Sequence, residues 1–248
     1  VNPRIFRRVL PFAFVSLLAV ARTLPLTGYY FNRVSLVGLA ANFLVIPLIG
    51  FGVVPLLLIS AVVFPFGEAP AALGLEAAAG LLHLAMEGIR LFARIPHAAL
   101  RVVTPSLLEI ALYYTLLAAA LKVRSSRAAR AAAAVALLIA GADACHWIQH
   151  RLWHPDLRVT AIDVGQGTAS LLELPRGKTM LIDGGRFSDN RIFDVGAQVV
   201  APFLWRKKIA TLDTVVLSHP NSDHLNGLIF IVENFNVKEV WSNDLPAD

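Results

Sequence analysis

Apolar residues run in long, nearly unbroken blocks through the first 150 positions and in short β-branched blocks after position 157. The long blocks predict membrane helices. Val9 to Leu26 is one span, with Arg4, Arg7 and Arg8 in front and Arg22 and Pro25 near its end. Val34 to Phe66 follows the interfacial run Tyr29–Arg33 and is apolar for about 33 residues, too long for one straight span of about 20. Pro47, Gly50, Gly52 and Pro55 fall in its middle and predict either a kinked, tilted helix or two broken half-helices. Residues 69 to 94 keep helical periodicity but gather Glu76, His83, Glu87, Arg90 and Arg94 on one side of a helical wheel, which predicts an amphipathic helix that either lies in the interface or lines a pathway inside a bundle with its polar stripe. Further spans are expected at 105 to 121, with Glu109 early, and at 131 to 148, ending near Trp147.

The pattern changes at Leu157. Strands are expected at 157–164, 169–174, 179–183, 213–217 and 237–241, with turns at Gly165-Gln166-Gly167 and Pro175-Arg176-Gly177-Lys178. Asp194 can cap a helix reaching about Lys208, and a second helix is expected from Leu225 to Phe235. Strands passing into strand–helix alternation predict an α/β layered fold. The chain is therefore read as two domains: a helical membrane region over 1–150 and the first part of an α/β domain over 151–248.

Composition agrees with the membrane reading. Hydrophobic residues make up 56% and charged residues 16%, and mean hydropathy is +0.64, which excludes an ordinary soluble domain. The net charge of +5 comes from arginines between apolar runs, the signature of positive-inside topology rather than of a nucleic-acid patch. Lys122, Arg124, Arg127 and Arg130 form a loop with no acid, expected to be cytoplasmic, so that residues after 150 are expected outside the cytoplasm. Arg33, Arg94 and Arg101 are read as interfacial anchors rather than as phosphate contacts. Cys145 is the only cysteine, which excludes an internal disulfide framework and a cysteine-rich zinc site. The first residue is Val and the basic start runs into a span, so no cleavable signal peptide is read and the chain is expected to begin within a longer protein.

The candidate chemistry lies in Ser218-His219-Pro220-Asn221-Ser222-Asp223-His224, on the loop between an expected buried strand and a helix. Two imidazoles and a carboxylate within six residues suit zinc, manganese or iron rather than calcium. The other reading is two loop histidines beside a helix-capping Asp.

Asp163-Val164-Gly165-Gln166-Gly167, then Leu181-Ile182-Asp183-Gly184-Gly185, then Ser218 to Gly227, in that order, resemble the metallo-β-lactamase-like domain of the ComEC family of bacterial DNA-uptake membrane proteins. The stretch Leu24 to Leu48 is similar to the same family's competence domain. The resemblance implies a cell (inner) membrane channel that passes one DNA strand inward, joined to an extracytoplasmic αββα-type domain that degrades the other strand. It implies one or two divalent ions, zinc or manganese, with His219 and Asn221 at one and Asp223 and His224 at the second. Asp223 would be catalytic, and Asp163, Asp183 and Gly184 would support the site. The implied partners are single-stranded DNA, membrane lipid, other DNA-uptake components and further copies of the chain. Three departures favour an alternative, a non-catalytic channel and DNA-binding component. Position 221 is Asn where the wider fold has His, position 168 is Thr where the family usually has Asp, and the chain stops at Asp248, before further expected ligands.

Overall fold

The computed structural model describes residues 3–186 and 192–243; the side chains of Arg4, Arg7 and Arg8, the expected basic flank, lie outside the described set. The chain packs as two compact units. One comprises residues 1–24 and 33–100, the other residues 25–32 and 101–248. Composition changes near residue 150, whereas the second packed unit runs on through that point.

Helix α1 (Pro3–Phe31) contains the 9–26 segment. The long apolar run forms one continuous rod: α2 (Gly38–Pro47), a π-helical turn over Leu48–Val53, and α3 (Val54–Val63). Of the two expected arrangements, the kinked helix is the one formed. Pro55 explains the wide turn, because its ring would collide with the carbonyl four residues back and it offers no N–H there. The N–H of Val54 donates instead to Ile49, five residues back.

Helix α4 (Glu68–Ala93) covers the 69–94 segment. It packs along the α2–α3 rod through small residues: Ala71, Ala78 and Ala85 are buried at intervals of seven. Gly74 sits against Ser60, and Gly88 against Leu44, so closely that a β-carbon would clash. Close helix approach at small residues is how helices associate in lipid, where apolar side chains gain little from leaving the solvent. The expected polar stripe is present on the outer side, where Glu87 and Arg90 form an ion pair. Strand β1 (Arg33–Ser35) pairs with β2 (Ala99–Arg101).

In the second unit, α5 (Leu107–Lys122) and α6 (Arg127–Leu152) pack as a hairpin. Ser106 and Glu109 start α5 with a reciprocal capping box, and the Ser126 hydroxyl accepts from Ala129 N at the start of α6. Helix α6 buries only Ala136, while Val135, Leu137, Leu138 and Ile139 face outward. That inverts the pattern of a water-soluble helix and fits a lipid-facing one. Among the described residues three helical segments are long and apolar enough to cross a membrane: Gly38–Phe66, Glu68–Ala93 and Arg127–Leu152.

The sheet that follows has the order β3 (Arg158–Ala161), β4 (Ser170–Glu173), β5 (Thr179–Ile182), β6 (Thr211–Leu217), β7 (Asn236–Ser242). The first three strands pair antiparallel and the last three parallel. The parallel pairs need crossovers, supplied by α7 (Ala201–Arg206), which continues a π-helical turn at Gly196–Val200, and by α8 (Ser222–Asn234). The expected single helix from 194 to 208 is thus shorter and begins with that wide turn. Asp194 does supply the start, its Oδ1 accepting from Ala197 N at 3.0 Å. The strand expected over 157–164 ends at Ala161, and its remainder joins the glycine turn. Leu171, Leu181, Val215, Val200, Leu204, Trp205 and Ile231 form the buried core, with Trp205 stacked on Phe235 at 5.1 Å.

Two ion pairs tie the sheet domain to the ends of α5 and α6, and a third joins the end of α7 to β4. Glu173, 2% exposed, receives Lys207 at 2.5 Å and lies 4.0 Å from Arg151. Lys208, held at a left-handed φ of 59°, reaches Glu109 at 2.5 Å and the Thr104 carbonyl at 2.8 Å. Arg101 lies over the rings of Trp205 and Phe230 and donates to Asn234 Oδ1 at 3.2 Å, so it anchors through packing on the domain.

Asp213 joins three strands, accepting from Thr179 N at 2.9 Å and Lys238 Nζ at 2.6 Å. Burial acts to raise its carboxyl, but these two bonds and the charges of Lys238 and Lys178 outweigh it and hold the group below its ordinary value. A carboxyl depressed on folding stabilises fully above its unfolded pKa and loses that contribution as pH falls through the folded one. Asp213→Asn is therefore expected to cost on the order of 1 kcal/mol at neutral pH. In thermal unfolding series the gap from the parent chain should shrink as pH drops below about 4.

Candidate metal centre

Strand β6 is short, apolar and paired on both sides, so its carboxyl end is fixed, and the chain leaves it at Ser218 directly into the polar loop. Strand β5 ends beside it at Asp183, whose N–H donates to Val216 O at 2.9 Å. Helix α8 begins at Ser222 rather than at the expected Leu225, with Asn221 as its N-cap residue. Asp223 therefore lies in the first turn, where its charge suits the helix dipole, and is not the cap.

These elements bring His219, Asp223 and His224 together, with one ligand atom from each lying within 4.8 Å of the others. The imidazole centroids of His219 and His224 are 3.8 Å apart, and Asp223 Oδ2 is 3.5 Å from His224 Nε2. All three are part-buried, accessible from solvent yet held by the fold.

Asp183 organises the cluster. It is 4% exposed and adopts a left-handed φ of 59°, unusual for a residue with a side chain. Its Oδ1 accepts from Ser218 N at 2.9 Å. Its Oδ2 accepts from the Ser218 hydroxyl at 2.8 Å, the Thr168 hydroxyl at 3.1 Å and His224 Nδ1 at 2.7 Å. Burial alone would raise this carboxyl; the bonds from Ser218 and its backbone, His224 and Thr168 outweigh it and hold the group ionised well into the acid range. With the Ser218 hydroxyl given to Asp183, its oxygen is left to accept from His219 Nδ1 at 3.0 Å. Both histidines then carry their proton on Nδ1 and present Nε2 as a free lone pair. That is the tautomer a metal requires, oriented by an oxygen partner behind each ring.

Of the other expected residues, Asn221 stands at the head of α8, and its side chain makes no capping bond, which leaves the carboxamide available. Asp163 is exposed and does not reach the cluster; its Oδ1 accepts from Gly165 N at 3.1 Å and so shapes the glycine turn. Gly167 of that turn, at φ 85°, passes so near Asp223 that a β-carbon would fall 1.9 Å from its carbonyl oxygen. Gly184 is buried, donates to His224 O at 2.8 Å and lies face to face with Gly227 of α8. A β-carbon on Gly227 would sit 1.9 Å from the Gly184 oxygen, so this glycine pair sets how closely the helix approaches β5.

Ser218 and the Arg186–Ser222 bond at 2.7 Å were not singled out by sequence reasoning. Thr168, read there as a lost carboxylate, keeps a hydrogen-bonding role at 3.1 Å from Asp183 and 3.2 Å from His224. The donor set fits a divalent ion of the zinc or manganese kind: two imidazoles and a carboxylate, with a buried carboxylate behind.

Residues 2–127 match the family model described as Competence protein. The chain belongs to the competence protein family. Residues 162–246 match the metallo-beta-lactamase superfamily, a match that covers every member of the cluster and implies a divalent metal. The chain is also 23% identical over 240 residues to "ComE operon protein 3" of Bacillus subtilis (strain 168), covering 91% of this chain and 30% of that protein. No solved structure is significantly similar. The ComEC resemblance and the order of a helical membrane region followed by a metallo-β-lactamase-type domain are thus both found.

If Asp183 sets the histidine tautomers, Asp183→Asn should lower zinc or manganese affinity by about 10- to 100-fold in calorimetric titration of the purified chain. Gly227→Ala should cost about 1–3 kcal/mol of domain stability by pushing α8 off β5. Its metal affinity should fall with it.

Proposed function

We propose that the chain is part of a DNA-uptake channel of the cell membrane, with residues 1–150 as the transmembrane competence-type region. Residues 151–248 are then the first part of a metal-dependent phosphodiesterase that, in the full-length protein, degrades the strand that is not transported. One observation carries this reading: a competence-type membrane region and a His219/Asp223/His224 cluster braced by Asp183 occur in one chain, in that order. The match to the competence protein family and the similarity to ComE operon protein 3 support the uptake role, and this chain spans 30% of that relative's length.

In this proposal His219 and Asn221 hold one divalent ion, zinc or manganese, and Asp223 and His224 the second. The ions would supply Lewis acidity, activating water near neutral pH and drawing charge from the scissile phosphate. Asp223, whose side chain is 37% exposed, orients the attacking water and accepts its proton. Asp183 keeps both imidazoles aimed, and Thr168 and Ser218 hold Asp183. The acid-free run of Lys122, Arg124, Arg127 and Arg130 supports a cytoplasmic α5–α6 loop; with α6 crossing, the metal domain then lies on the outer face in this proposal.

A second reading has a specific observation behind it. Position 221 offers a neutral amide and position 168 a hydroxyl, both weaker than carboxylate or imidazole as ligands, which suits a non-catalytic domain that guides DNA to the channel. The two separate on the full-length protein. Asp223→Ala and His224→Ala should each cut metal-dependent hydrolysis of single-stranded DNA by about 100-fold or more. Equal hydrolysis in the variants and the parent would discard the phosphodiesterase, and DNA uptake that survives loss of both His219 and Asp223 would favour the guide.

A further inference from the structure

A second charged site lies at the other end of the strands. A cleft of about 610 Å³ is lined by Arg151, Arg176, Lys178, Lys208, Lys238 and a single carboxylate, Asp213. It opens where β5, β6 and β7 begin, at Thr179, Thr211 and Asn236, whereas the metal cluster stands where β5 and β6 end. Strand β6 alone separates the two by roughly 20 Å.

Three of the five cations have acid partners: Arg151 with Glu173, Lys208 with Glu109 and Lys238 with Asp213. Arg176 and Lys178 are exposed and make no ion pair among the described residues. Their turn is rigid. Arg176 sits at a left-handed φ of 66°, a conformation that costs free energy for a residue with a side chain, and its N–H donates to His154 O. Gly177, at φ 79°, presses on the last residues of α6 so closely that a β-carbon would lie 2.9 Å from Arg151 O and 2.8 Å from the Leu152 side chain. These two charges, with Asp213 the one carboxylate lining the cleft, are thus fixed against the end of a membrane helix.

Position identifies the ligand. Helix α6 has 26 residues, about 39 Å of helix against a hydrocarbon core of about 30 Å, so its last turn reaches the headgroup layer. Trp153 is 73% exposed immediately after it, with Leu152 and Leu157 exposed beside it, the aromatic and apolar fringe of a membrane–water boundary. We propose that this cleft binds the phosphodiester headgroup of an anionic membrane lipid. Arg176 and Lys178 take the phosphate, and Trp153 and Leu152 rest among the acyl chains. Bound lipid would fix the tilt of the sheet domain against the bilayer through the 175–177 turn. The proposal needs α6 to be a membrane helix and is independent of any hydrolysis at the metal cluster.

The test uses the full chain in a neutral detergent, titrated calorimetrically with dioctanoyl phosphatidylglycerol, dioctanoyl phosphatidylcholine, inorganic phosphate and a short single-stranded oligonucleotide. Phosphatidylglycerol should bind at least about tenfold more tightly than phosphatidylcholine or phosphate. The double variant Arg176→Glu/Lys178→Glu should lose about 25-fold or more of that affinity, from about fivefold per interfacial cation. Gly177→Ala, which removes no charge, should also weaken it. Arg206→Glu, an exposed charge on α7 outside the cleft, should leave it unchanged, and unaltered zinc binding by the double variant would show that it is folded. Equal binding of the two lipids, or an unaffected double variant, would overturn the proposal. Phosphate binding as tightly as phosphatidylglycerol would make it a simple anion site, and oligonucleotide displacing the lipid would make it a nucleic-acid groove; either result overturns the lipid assignment.

Discussion

The carboxylate of Asp183 is the interaction on which the candidate site depends. A buried acid with four hydrogen-bond donors around it can remain ionised, because each bond stabilises the charge that burial penalises. Those donors come from three separate places in the chain: the glycine turn through Thr168, the end of β6 through Ser218 and the first turn of α8 through His224. One side chain thus assembles the loop, fixes the tautomer of His224 and sets the direction of its open nitrogen. The left-handed backbone at Asp183 is what turns the end of β5 toward those donors, and the glycines on either side of that arrangement, 184 and 227, let α8 come close enough for it to form.

A comparable economy joins the sheet to the helical hairpin. Lys207 and Lys208 are consecutive, yet one turns to the buried Glu173 of the sheet and the other to Glu109 at the start of α5. Glu109 also caps α5, so the same carboxylate starts the helix and receives the domain. Arg151, the penultimate residue of α6, reaches Glu173 from the other side. Buried pairs of this kind add little net stability but are costly to break singly, so they specify one packing of hairpin on sheet.

Much of this was legible in the residue order. The five strands after residue 157 were readable because short β-branched runs are bounded by Gly, Pro and Asp, and His219, Asp223 and His224 because close sequence spacing on a strand-to-helix loop keeps them close in space. What pairs with Asp183 was not readable, since Thr168 and Ser218 lie 15 and 35 residues away and meet it only through strand pairing. The Lys208–Glu109 pair spans 99 residues and leaves no local signal. For residues 69–94 the polar stripe drew attention and the buried one did not. Ala71, Ala78 and Ala85, with Gly74 and Gly88, were visible as a small-residue repeat whose meaning is helix packing. The early start of α8 was hidden because Asn221 caps through position rather than through its side chain.

The central claim is that His219 and His224, through the Nε2 atoms that Ser218 and Asp183 leave open, and Asp223, through its carboxylate, hold metal. X-ray absorption at the zinc edge on the purified, zinc-loaded chain reads this directly. A mixed nitrogen and oxygen shell with an imidazole at each zinc is expected, with the imidazole signal reduced in Asp183→Asn. A shell of oxygen alone, or zinc removed by simple dialysis, would contradict it.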